Sequence, residues 1–226
     1  MTPEFADRTR QSHQDSLRAS ELVYGVGGFR ESPPDPANLP PRLRRFLERF
    51  RIVETYADPG TGFKGIALEE KNGSKRRIYA VAGLETFGPN RDISDSVAIA
   101  KFGKSQLGGV RAKDFLEDGI RHARRKGDIH ITGQSMGGLL AQTMSYLAQR
   151  QLDDRSKGRI SLTTWAAVGG RELTDHVLKE KRETFDPEIM GKINAIGFYV
   201  DGDPFTRIGT HMEPTHAIPR TEGMSL

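Results

Sequence analysis

The chain has 226 residues, of which 35% are hydrophobic and 28% are charged, and it contains no cysteine. This length fits one domain with a sizeable core, and the missing thiols exclude disulfides, thiolate metal sites and a cysteine nucleophile. The 34 Lys and Arg against 30 Asp and Glu give a net charge of +4, and because the basic residues occur only in short runs, no nucleic-acid partner is expected.

Residues 1–39 are predicted to be a polar and proline-rich tail and linker without fixed structure. Residues 1–20 lack the basic region and apolar run of a secretory signal, and FRESPPDPANLPP (29–41) cannot join a helix or a central strand. No stretch has the roughly 18 uncharged apolar residues of a membrane span. We therefore expect one domain over 40–226, in a protein that is either cytoplasmic or exported by a dedicated secretion system.

The segment PRLRRFLERFR (41–51) is predicted to form a basic amphipathic helix. Leu43, Phe46, Leu47 and Phe50 recur at helical spacing and make one apolar stripe. Most such helices dock on their own domain; the alternative here is peripheral contact with an anionic membrane surface.

The rest of the chain alternates between strand-like and helical segments. Two strand-like runs flank Asn72-Gly73, a strong hairpin signal, and the second run ends near Gly83. A helix is predicted within 92–103. Further helices are predicted at 111–126, 137–151 and 172–182, and strands at 129–132, 159–168 and 195–200. This order predicts an α/β fold in which helices flank a mainly parallel central sheet.

The turn GQSMGG (133–138) is predicted to be a nucleophile elbow with Ser135 at its tip. Chains this rich in glycine contain G-x-S-x-G by chance, so the strand predicted before the turn and the helix predicted after it carry the assignment. An elbow places Ser135 at a helix N-terminus, where the backbone N–H of Met136 can stabilise an oxyanion. The alternative is a glycine-rich connection or phosphate cradle.

A serine nucleophile needs a base, and the base needs an acid that orients it. In α/β hydrolases these follow the serine in the order acid, then histidine. Asp201 and Asp203 follow a late strand, and Asp203 is favoured because Pro204 defines the turn. His216 is favoured over His211 as the base. A histidine beyond Leu226 would also satisfy this order.

These segments together resemble the class 3 lipase family and its bacterial relatives among phospholipases and secreted lipase-like effectors. The similarity runs from about residue 60 to residue 220 and rests on RRIYAVAGLET, DISDSVAIAKFG, IHITGQSMGGLLA and YVDGDPFTRI. It implies an α/β-hydrolase fold with Met136 and Leu84 as the oxyanion hole. Gln134 and Leu84 stand where the family usually has His and Thr or Ser.

The predicted function is a serine hydrolase that cleaves carboxylic esters of lipids through a Ser135–His216–Asp203 triad, without cofactor or metal. Its substrate would be a lipid ester or phospholipid, and apolar residues between 97 and 107 would suit a lid. A chaperone or immunity protein is a further possible partner. The alternative is a catalytically inactive hydrolase-fold protein that binds lipid or a protein partner, and the departures at Gln134 and Leu84 are its basis.

Overall fold

The computed structural model describes residues 3–26, 33–83, 103–153, 155–156 and 158–218. Its centre is one seven-stranded sheet whose strands lie in sequence order. The strands are β1 (Phe50–Asp58), β2 (Phe63–Glu70), β3 (Arg77–Ala82), β4 (Ile129–Gln134), β5 (Ile160–Trp165), β6 (Asn194–Val200) and β7 (Thr215–Ile218). The first three are antiparallel neighbours and β3 to β7 are parallel. The mainly parallel sheet predicted from the sequence is therefore confirmed.

Helices cover both faces of this sheet. They are α1 (Pro3–Leu22), α2 (Pro41–Arg49), α3 (103–108), α4 (Val110–Arg125), α5 (Met136–Gln149), α6 (Arg171–Glu180) and α7 (Pro187–Gly191). Short 3₁₀ turns occupy Val23–Gly25, Pro36–Asn38 and Pro204–Arg207. Among the described helices, none has the length and apolar character needed to cross a membrane.

The sheet separates two hydrophobic cores. All six residues of β3 are buried, so this strand reads as a continuous apolar run, as expected for a strand covered on both faces. Tyr79 and Val81 pack with the side chains of α4, α5 and α6. Ile78, Ala80 and Ala82 pack on the opposite face with α1 and α2.

The hairpin predicted at Asn72-Gly73 joins β2 to β3. Gly73 has φ +81°, a conformation that L side chains rarely adopt, which explains the glycine at this turn. The predicted helix after residue 40 is α2, and its apolar stripe docks on its own domain through Leu43 and Phe46. The helix predicted within 92–103 lies outside the described residues apart from its last position.

The N-terminal region differs from the unstructured tail predicted over 1–39. Helix α1 packs on β3, β4 and β5, and the buried side of α1 is largely polar. The Ser20 hydroxyl hydrogen bonds that of Thr132 at 2.9 Å, and the buried Asp15 carboxylate accepts from Arg49 at 2.8 Å. Because these side chains are satisfied by specific partners, α1 docks with few apolar residues.

Candidate active site

Ser135 lies at the sharp turn from β4 to α5, as the elbow pattern predicts. Its backbone has φ 53° and ψ −124°, outside the regions that L residues favour. Strained backbone of this kind costs of order 1–3 kcal/mol and concentrates at functional sites. The Ser135 N–H donates to the Trp165 carbonyl at 3.0 Å, and its own carbonyl accepts from Gly138 at 2.9 Å. These bonds hold the turn in place.

The glycines around Ser135 are required by close backbone contacts. A Cβ on Gly133 would lie 2.2 Å from the Gly137 carbonyl oxygen, and one on Gly137 would lie 2.3 Å from the Val81 carbonyl oxygen. A Cβ on Gly138 would lie 2.3 Å from the Cβ of Ala167. Side chains at these positions would push α5 away from β3, from β4 and from the turn after β5, so the G-x-S-x-G-G pattern reflects the packing of the elbow.

The oxyanion hole predicted from the sequence is only partly within the described residues. Met136 is the first residue of α5, where the backbone N–H has no partner within the helix and the helix dipole favours negative charge. Leu84, the second predicted donor, lies outside the described residues. Gly83 immediately precedes it and packs on the elbow: a Cβ on Gly83 would lie 2.6 Å from the Met136 Cβ.

The two candidate acids differ in burial. Both follow β6 at the carboxyl edge of the sheet, the edge that carries Ser135. Asp203 is 3% exposed, whereas Asp201 is exposed. A buried carboxylate has a fixed position, which favours Asp203 over Asp201 on structural grounds.

His216 lies in β7, the exposed edge strand. Register pairs Gln134 with Trp165, Trp165 with Phe198 and Phe198 with His216. Three strand spacings of about 4.8 Å therefore separate His216 from the residue before Ser135, which is about 14 Å. The His216 ring lies 6.3 Å from that of Phe198. The structure does not bring His216 together with Ser135, and its role as the base stays a prediction.

His211 lies in the loop between β6 and β7 and contacts a carboxylate. Its Nε2 is 3.1 Å from the Thr206 carbonyl oxygen, and its Nδ1 is 3.6 Å from Oε1 of Glu213. The Glu213 side chain is fully buried, and its Oε1 accepts from the Thr164 hydroxyl at 2.6 Å. Burial opposes a charged His211 imidazole, but the nearby negative charge of Glu213 outweighs burial and raises the pKa of His211.

The His211 loop packs against the elbow through a second turn. The Val168 N–H donates to the Ser135 carbonyl at 3.4 Å, and the Gly169 N–H donates to the Ile208 carbonyl at 2.9 Å. Gln142 in α5 accepts from the Met212 N–H at 3.2 Å. These bonds put the His211 loop on the α5 side of the sheet.

All six histidines lie in the described parts of the chain. His130 is buried in β4, and burial lowers its pKa to about 3; its Nδ1 contacts the Ser161 hydroxyl at 2.8 Å. Within the described parts of the chain, no hydrogen bond joins the Ser135 hydroxyl to an imidazole. The described arrangement thus contains the elbow and a buried carboxylate at the same edge of the sheet.

Two residues of this region were missed by sequence reasoning. Glu213 is one, because a glutamate between Met212 and Pro214 has no pattern that distinguishes it from a surface residue. Tyr24 is the other, since it belongs to the segment predicted to be unstructured. Its hydroxyl lies 3.3 Å from the Gln134 carbonyl oxygen, directly beside the elbow.

The chain matches no family model, and no curated protein sequence is similar to it. Several solved structures are similar in fold. A mutant form of MDLA from Penicillium cyclopium is 12% identical with a TM-score of 0.60, covering 100% of this chain and 84% of that one. The Lip2 lipase from Yarrowia lipolytica is 13% identical with a TM-score of 0.55, covering 89% and 74%. Lipase II from Rhizopus niveus is 13% identical with a TM-score of 0.54, covering 88% and 75%.

The sheet order, the flanking helices and the strained serine turn define an α/β-hydrolase fold with a nucleophile elbow. More particularly, the fold is the one found in the fungal class 3 lipases. At these levels of identity the similarity establishes the fold, and chemistry has to be argued from the site.

Proposed function

We propose that this protein hydrolyses carboxylic esters of lipids, with Ser135 as the nucleophile. The observation that carries the proposal is the strained backbone of Ser135 at the start of α5. In the proposed reaction the Ser135 oxygen attacks the ester carbonyl and its proton passes to a histidine. The histidine returns that proton to the leaving alcohol, and water then hydrolyses the acyl-enzyme.

The Met136 N–H and the backbone N–H of residue 84 would stabilise the oxyanion of each tetrahedral intermediate. Losing one donor from such a hole typically costs about 3 kcal/mol of transition-state stabilisation. Leu84 lacks the hydroxyl that Thr or Ser would supply, and this is secondary in the scheme because the donor is the backbone N–H.

For the base we propose His211 in place of His216. Its half-buried imidazole, its contact with a buried carboxylate and its loop on the α5 side of the sheet support this assignment. In this scheme Nε2 leaves the Thr206 carbonyl when the loop closes on the elbow. The orienting acid is Asp203 by chain order, while Glu213 is the carboxylate beside the ring. His216 could act only if β7 left the sheet edge.

Four variants test these assignments by ester turnover. We expect His211→Ala to lose several orders of magnitude in kcat/KM and His216→Ala to retain activity. The reverse result would restore His216 as the base. Asp203→Asn and Glu213→Gln then identify the acid, because only the carboxylate that orients the base should match the loss seen in the histidine variant.

The second candidate is a hydrolase-fold protein that binds lipid without turning it over. It is favoured by one observation: the described residues provide no imidazole bonded to Ser135. A fluorophosphonate probe distinguishes the two candidates, because it labels only an activated serine. Labelling of the wild type and not of Ser135→Ala supports the enzyme. If the wild type stays unlabelled, or both are labelled equally, the hydrolase proposal fails.

We further propose that the protein meets its lipid at an anionic surface, which favours phospholipid substrates. The apolar face of α2 is buried in the domain, so α2 would not insert into the membrane. Its exposed Arg44 and Arg45 would instead attract anionic headgroups at the membrane surface. Vesicles with and without anionic lipid test this, since binding should require the anionic lipid and weaken with salt. Equal binding to neutral vesicles would exclude it.

A further inference from the structure

The Tyr24 hydroxyl lies between two backbone segments at the carboxyl edge of the sheet. It donates to the Gln134 carbonyl at 3.3 Å and accepts from the Gly83 N–H at 3.4 Å. Tyr24 comes from the 3₁₀ turn that follows α1. One phenol from the N-terminal segment therefore contacts both the end of β4 and the residue after β3.

These two backbone segments are neighbours that stop pairing at this point. The parallel ladder between β3 and β4 ends with Val81 opposite Gly133. Beyond that pair, β4 turns into the elbow, while β3 ends at Ala82 and the chain continues through Gly83. Between the separating segments, the Tyr24 hydroxyl accepts from the Gly83 N–H and donates to the Gln134 carbonyl. It thus satisfies one backbone donor and one backbone acceptor, as one more pair of strand residues would.

The residues held by Tyr24 are close in sequence to both proposed oxyanion donors. Gly83 immediately precedes residue 84, whose N–H is one proposed donor. Gln134 is two residues before Met136, whose N–H is the other. Gly83 also lies in close contact with the elbow, since a Cβ there would be 2.8 Å from the Gly137 nitrogen. The position of the Met136 N–H relative to Gly83 thus depends on the spacing of the two segments that Tyr24 joins.

We propose that Tyr24 is a positioning residue that fixes the elbow, and with it the Met136 N–H of the proposed oxyanion hole, relative to Gly83; this rests on the proposed hydrolase function. Anchoring of α1 does not require the hydroxyl. Leu22 and Val23 are buried beside it, and α1 is held to the sheet independently by Ser20 and Asp15. Because the two Tyr24 hydrogen bonds are long, they contribute little to the free energy of unfolding. Catalysis is more sensitive to small displacements, because a donor must lie within about 2.7–3.1 Å of the oxyanion.

The test compares Tyr24→Phe with Tyr146→Phe as a matched control. Tyr146 is buried in α5, and its hydroxyl also accepts a backbone N–H, that of Asp186 at 2.8 Å. With p-nitrophenyl butyrate, we expect Tyr24→Phe to lower kcat by about 10- to 100-fold at nearly unchanged KM, a loss within that of one oxyanion donor. The rate of labelling by a fluorophosphonate should fall by a similar factor.

The control should keep its kcat even if its melting temperature falls. If both variants lower kcat in proportion to lost stability, or if Tyr24→Phe raises only KM, the positioning role is wrong. Should the wild type itself be inactive, the hydrolase proposal fails, and amide hydrogen exchange still tests the contact. Exchange at Gly83 should accelerate in Tyr24→Phe and not in Tyr146→Phe; equal exchange in both would exclude a positioning role.

Discussion

Replacing Ser135 with glycine should stabilise the protein relative to replacing it with alanine. Both variants lose the hydroxyl, so they differ only in the Cβ that has to occupy φ 53° and ψ −124°. Relief of that strain is worth about 1–3 kcal/mol, and the greater unfolded-chain entropy of glycine takes back about 0.4–1 kcal/mol. The net difference is roughly 0.5–2 kcal/mol, or about 1–8 °C in Tm for a chain of this size.

The assay is thermal and urea unfolding of the two variants at one pH. Ser145 provides the control, because it is a buried serine in the regular part of α5. There Ser145→Gly should be less stable than Ser145→Ala by about 1 kcal/mol, the ordinary helix preference. The sign of the glycine effect should therefore be opposite at the two positions. Finding alanine more stable at both would refute the strained elbow.

Three further results are expected. Gly138→Ala should destabilise the protein by about 1–3 kcal/mol, because its Cβ would lie 2.3 Å from that of Ala167, and Ala167→Gly in the same chain should recover part of that loss in a double-mutant cycle. Buried His130 has its pKa lowered from 6.5 to about 3, so the unfolded state binds more protons between those values. Stability measured by urea titration should fall as pH drops through that range, by up to about 1.4 kcal/mol per pH unit, and less steeply in His130→Gln. Because the pKa of His211 is raised above 6.5, the acidic limb of kcat/KM should lie above that pH if His211 is the base. Glu213→Gln should move the limb, and the imidazole NMR titration of His211, to lower pH; an unmoved titration would contradict the pairing.

The regular part of the fold was predictable because its signals are local. Each strand from β2 to β6 and each helix from α4 to α6 carries its own periodicity or turn signal, such as Asn72-Gly73, and the predicted bounds lie close to the observed ones. The elbow was predictable for the same reason, since Gly133, Gly137 and Gly138, which its packing requires, lie within three residues of Ser135.

The remaining features depend on contacts between distant segments. Helix α1 was missed because its buried side is largely polar. Hydrophobic periodicity does not detect buried polar residues such as Asp15 and Ser20, which are satisfied by hydrogen-bond partners. The preference for Asp203 over Asp201 came from the Pro204 turn in the sequence, whereas the burial of Asp203 is visible only in the fold. The distance between His216 and Ser135 could not be predicted, because it depends on which residues pair across neighbouring strands and not on their order in the chain.

The order of the strands has a consequence for how the chain reaches its native state. Every strand pairs with its neighbour in sequence, so the sheet can grow progressively as the polypeptide leaves the ribosome. Helix α1 is the exception, because the Trp165 indole donates to the Ser16 hydroxyl across 149 positions of sequence. Helix α1 is synthesised before the sheet and is thus expected to dock on it late, closing long loops at high entropic cost. Until α1 docks, the face of β3 and β4 that it covers stays exposed. Nascent chains that end before about residue 165 lack part of the surface on which α1 packs.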